Sequence, residues 1–125
     1  MTDWQSFSLY SDPMMRYLDH EIQKVASQHE APFQPSEFQH FDALHYCGYE
    51  YLDPFMQTLP ANPRVLDIGA GIGGPARHVA QTFGAEVVAI DPLERYTQLQ
   101  QRIDQLCGLE EQITVVQADA ATDDL

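Results

Sequence analysis

The chain has 125 residues, enough for one domain with its own core and too few for two ordinary ones. Its composition, 44% hydrophobic and 20% charged, is globular, and 19 acidic against 6 basic side chains give a formal charge of −13. That charge argues against nucleic acid or an anionic membrane surface as the main partner, because nothing offsets phosphate repulsion.

The opening "MTDWQSFSLY" lacks a charged n-region and an apolar h-region, and no stretch approaches the roughly 20 apolar residues of a membrane span. A cytoplasmic chain is expected. Cys47 and Cys107 lie far apart without CxxC spacing, so they read as small buried hydrophobes and not as a disulfide framework.

"SDPMMRYLDHEIQKVAS" starts as helices start, with Asp12 as cap and Pro13 at the first helical position. Met14, Leu18, Ile22 and Val25 then make one apolar stripe. "EAPFQPSE" breaks the pattern with two prolines, and a second helix is expected from Ser36, carrying Phe38, Phe41 and Leu44 behind a capping box. Gly48 interrupts. "YEYLDPFMQTL" reads as further helix that either kinks at Pro54 or restarts with Asp53 as cap.

After the linker "LPANP" the pattern changes. "RVLDIGA" is a short strand, and Pro75 opens a helix with Ala76, Val79, Ala80 and Phe83 on one face, ended by Gly84. "EVVAI" is a second strand running into Asp91-Pro92. A longer helix follows, with Tyr96, Leu99, Ile103 and Leu106 buried and Gly108 as its stop. "QITVVQADA" is a third strand. The order βαβαβ implies parallel strands with right-handed crossovers. The chain therefore divides into a helical N-terminal cap, 1–60, and the first half of a Rossmann-like, doubly wound α/β sheet, 61–125.

The glycine-rich turn contains Gly69-x-Gly71-x-x-Gly74, a dinucleotide spacing that is weak evidence alone. It also contains Asp67-x-Gly69-x-Gly71-x-Gly73, with an acid first. A dinucleotide presents an anionic pyrophosphate, which helix N–H groups satisfy. S-adenosylmethionine (SAM) presents a sulfonium and an ammonium, for which a carboxylate such as Asp67 is useful. The glycines admit positive φ and leave room for a ligand against the backbone. Asp91, after strand two, can accept both ribose hydroxyls or merely cap the next helix. Asp119, after strand three, can accept from an adenine amino group while N–H groups near Ala120 meet ring nitrogens.

Residues 64–123 resemble the N-terminal half of a class I SAM-dependent methyltransferase. "LHYCGYEYLDPFMQTL" followed by "RVLDIGAGIGGPARHVA" is similar to the branch containing sarcosine/dimethylglycine, phosphoethanolamine and sterol or tocopherol methyltransferases. The resemblance implies that Asp67, Gly69, Gly71, Gly73, Asp91, Asp119 and Ala120 bind SAM. It adds Tyr46 and Gly48 as further candidates from the preceding segment, with S-adenosylhomocysteine as product. Arg77, in "GGPAR", either faces the ligand or is an exposed helical arginine.

No catalytic base is identifiable. Lys24 is the sole lysine, which excludes a GK[ST] phosphate loop and a Tyr-x-x-x-Lys pair. His40, His45 and Cys47 match no common metal spacing, so no metal is expected. The implied activity is methyl transfer to a small-molecule acceptor, an amine by preference. The alternatives are a non-catalytic SAM- or nucleoside-binding module and, third, an NAD-dependent oxidoreductase. Strand one is expected to be an open apolar edge, covered by a further half of the sheet or by a second copy.

Overall fold

A computed structural model describes residues 11–43 and 48–125. Helix α1, Asp12–Ala26, is capped by Ser11, one residue earlier than the sequence suggests: the Ser11 hydroxyl accepts from the Met14 N–H. Its buried stripe is Met15, Leu18, Ile22 and Val25, so Met15 takes the place expected for Met14.

The helix expected from Ser36 is shorter and tighter. A 3-10 turn over Pro35–Phe38 runs into a single α-turn, α2, Gln39–Asp42. Pro35 holds the first helical position, so the cap is Gln34, whose N–H donates to Glu37 Oε2 at 2.8 Å. Leu44 lies outside the described residues. "YEYLDPFM" restarts at its proline: a 3-10 turn, Glu50–Leu52, gives way to α3, Asp53–Met56.

The βαβαβ half follows the sequence closely. Strand β1 is Arg64–Ile68, helix α4 Gly74–Phe83, β2 Glu86–Asp91, α5 Glu94–Leu106 and β3 Ile113–Gln117. The strands pair in parallel in the order β1-β2-β3, with Asp67 beside Ala89 and Asp91 beside Gln117. Gly84 and Gly108 stand beyond α4 and α5 at φ 66° and 68°, the left-handed backbone that ends helices.

Among the described residues, two apolar clusters hold the elements together. In one, α4 and the sheet bury Ala76, Val79, Ala80, Val87, Ala89 and Ile113. In the other, α1 and the segment Phe33–Phe41 pack on α5 through Leu18, Ile22, Phe38, Tyr96 and Ile103. Ile72, from the glycine turn, belongs to this second cluster and is 1% exposed. The N-terminal helices are therefore anchored directly to the turn. The opposite sheet face is open at β1, where Leu66 and Ile68 are 55% and 61% exposed. No helix among the described residues is long and apolar enough to cross a membrane.

Candidate functional site

Parallel pairing aligns the C-terminal ends of the three strands, and each end brings one carboxylate to the same rim. Asp67 lies within β1, Asp91 ends β2, and Asp119 follows β3 by two residues. The glycine turn hangs from the end of β2: the N–H groups of Gly69 and Ala70 both donate to the Ile90 carbonyl, at 2.8 and 3.0 Å.

Asp91 organises this rim. Its Oδ2 accepts from the Gly71 N–H at 2.9 Å and its Oδ1 from the Leu93 N–H at 3.0 Å. It thus ties the glycine turn to the start of α5, and its role as a local turn former is real. Each oxygen keeps a second lone pair, so accepting from ribose stays open. Burial raises the Asp91 pKa, against the two backbone N–H groups, which lower it.

Asp67 is the unsatisfied member. Its Oδ2 is buried without a hydrogen-bond partner. Burial, and then the nearby charge of Asp91, raise its pKa. Two neighbouring carboxylates, one with an orphaned oxygen, form a site that gains from a cation. Asp119 folds into its own turn: Oδ1 accepts from the Ala121 N–H at 3.0 Å, and the Asp119 N–H donates to Asp123 Oδ2 at 2.8 Å. Ala120 lies in that turn, which is held near Asp91 by the Ala118 N–H on the Asp91 carbonyl.

The glycines divide by cause. Gly69 and Gly71 have φ of 75° and 60°, and a Cβ on Gly69 would meet open space. Gly73, at φ 86°, faces protein instead: a Cβ there would collide with the Gln100 side chain. A Cβ on Gly74 would overlap the Tyr49 hydroxyl. Open space beside Gly69 suits a ligand; Gly73 and Gly74 are also demanded by packing.

Arg77 corrects the sequence reading outright. It neither faces a ligand nor lies exposed: it is fully buried, with Nη1 donating to Asp104 Oδ1 at 2.9 Å and Nη2 to Asp42 Oδ2 at 3.0 Å. The Tyr49 hydroxyl donates to Asp42 Oδ1 at 2.6 Å. Spacing held the signal. Gly73, Arg77, Ala80 and Gly84 form one helical stripe, and Gln100 and Asp104 share the buried face of α5 with Tyr96 and Ile103.

Tyr46 lies outside the described residues. Gly48 has φ 66°, and its neighbour Tyr49 brings the segment onto Gly74; a Cβ on Gly48 would meet the Glu50 carboxylate. Asp67 also borders a cleft of about 480 Å³ lined by Tyr51, Leu52, Phe55, Met56 and Pro75.

No family model matches the sequence. The sarcosine/dimethylglycine N-methyltransferase of Halorhodospira halochloris is 34% identical over 76 residues, covering 61% of this chain and 26% of that protein. The sterol 24-C-methyltransferase of Yarrowia lipolytica is 32% identical over 76 residues, covering 60% and 18%. The chain thus spans about a fifth to a quarter of the length of these curated relatives. Among solved structures, a SAM-dependent methyltransferase from Thiobacillus denitrificans in complex with S-adenosylhomocysteine matches with TM-score 0.54 and 25% identity, over 82% of this chain and 37% of that one. Phosphoethanolamine N-methyltransferase 2 of Haemonchus contortus, in complex with phosphomonomethylethanolamine and S-adenosylhomocysteine, matches with TM-score 0.62 and 19% identity, over 96% and 25%.

Proposed function

We propose that this chain, which has part of the class I SAM-dependent methyltransferase fold, binds SAM and serves methyl transfer to a small-molecule amine. The observation that carries the reading is the acidic rim: Asp67 with its buried, unpartnered Oδ2, beside Asp91 and next to the open space at Gly69. A cationic amino-acid moiety fits Asp67, and an anionic pyrophosphate does not.

In this reading Asp67 accepts from the ammonium group, and Asp91 accepts from the ribose hydroxyls with the oxygen lone pairs that the turn leaves free. Asp119 and the N–H groups around Ala120 meet the adenine. Gly69, Gly71 and Gly73 bring the backbone close to the ligand, and Gly48 and Tyr46 approach from the preceding segment. SAM supplies a methyl group already activated by the sulfonium. The protein's contribution is then positioning and water exclusion, and a base is needed only where the amine arrives protonated.

The amine preference draws on the sarcosine/dimethylglycine and phosphoethanolamine enzymes among the relatives, and a cytoplasmic setting belongs to the same proposal. A tritiated-methyl assay with glycine, sarcosine, phosphoethanolamine and a sterol as acceptors tests it. Label in an amine product supports the reading; label in the sterol alone overturns the amine preference. The open β1 edge favours a second reading, a SAM-binding module that acts when another sheet or a second copy covers Leu66 and Ile68. SAM binding without label in any arm selects it.

A further inference from the structure

Burying an arginine between two carboxylates is a costly way to hold helices together, because apolar side chains of similar volume do as well or better. What such a cluster does supply is a defined geometry, since a planar guanidinium donates to its two carboxylate partners in one plane. The cluster here joins three elements. Asp42 ends α2, Arg77 lies in the first turns of α4, and Asp104 lies in α5.

Two of these helices start at the acidic rim. Helix α4 begins at the glycine turn, where the Arg77 N–H donates to the Gly73 carbonyl at 3.0 Å, and α5 begins just after Asp91. The Arg77–Asp104 pair therefore sets α4 against α5, and with them the contact between the Gly71 N–H and Asp91. The third arm reaches the N-terminal helices. Tyr49 holds Asp42 and fills the space above Gly74, while Ile72 of the turn is buried among α1 and α5 side chains.

We propose that Arg77, with Asp42, Tyr49 and Asp104, is a positioning unit for the cofactor site: it fixes how the glycine turn faces Asp91 and makes seating of the N-terminal helices a condition for full cofactor affinity. The inference rests on the SAM reading above. It assigns to Tyr49 and Asp42, which hold Arg77 from the N-terminal segment, control over a ligand bound at Asp67 and Asp91.

Tyr49→Phe is the mild probe, since it keeps the ring and removes only the hydroxyl; Asp42→Asn is the second, and Arg77→Lys keeps the charge but not the paired geometry. In each, amide hydrogen exchange is followed at Gly71 and in strand β2, and S-adenosylhomocysteine binding is measured by calorimetry. Faster exchange at Gly71 with β2 still protected, together with about tenfold weaker binding, is expected. Unchanged exchange at Gly71 overturns the proposal, and so does faster exchange with unchanged affinity. Absence of binding by the unsubstituted chain sinks the SAM reading itself, and the proposal with it. The unsubstituted arm thus separates that failure from a failure of the positioning unit, which only the variants report.

Discussion

Asp67 is where one side chain says most about chemistry. A carboxylate oxygen buried without a partner costs about 1–3 kcal/mol, and the charge of Asp91 adds to the penalty. Asp67→Asn removes the charge at nearly constant shape. The variant is expected to melt at a higher temperature than the parent and to bind SAM at least tenfold more weakly. A lower melting temperature with unchanged affinity would make Asp67 a structural residue. Asp104 gives a second test, through pH. Burial pushes its pKa to about 6, against Arg77, which lowers it. The folded chain then holds this proton more tightly than the unfolded one. Stability from this group is full below the ordinary value of 3.8 and is lost as pH rises through about 6. Urea unfolding of the parent from pH 4 to 7 should show this slope, and Asp104→Asn should flatten it.

At the scale of elements, the glycine turn separates ligand space from packing. Gly69→Ala puts a side chain at φ 75° into open space, a strain of about 1–2 kcal/mol. Gly74→Ala improves helix propensity yet drives Cβ into Tyr49, and should destabilise by more, about 2–3 kcal/mol. Thermal unfolding of the two variants checks the order; equal losses would mean that Tyr49 moves aside freely. The strands and long helices were legible because alternation of apolar runs with glycine stops is a local signal: all three strands and helices α4 and α5 lie where the sequence puts them. The positions of Asp67, Asp91 and Asp119 at or just beyond the C-terminal ends of the strands were legible for the same reason, whereas their binding roles belong to the proposal. The Arg77 cluster was legible only in part: helical spacing puts Arg77 and Asp104 on buried faces, but the partners of Arg77 are 35 and 27 residues away along the chain and no local pattern pairs them. The short helices around Pro35 and Pro54 were misjudged in length because their ends are set by proline and by packing on α4 and α5, and not by their own periodicity.

For the whole molecule, two features oppose each other. Leu66 and Ile68 leave an apolar strip on an edge strand whose outer side has no partner among the described residues, which favours association through β1. A net charge of −13 resists it. Self-association measured by light scattering should therefore grow with salt as repulsion is screened, and Ile68→Lys should suppress it. Association that falls with salt would point to a charged contact elsewhere. The central claim is the identity of the ligand at the acidic rim, and calorimetric titration of the chain with SAM and, under the same conditions, with NAD tests it most directly. SAM binding with no heat from NAD is the predicted result; tighter binding of NAD than of SAM would contradict the account.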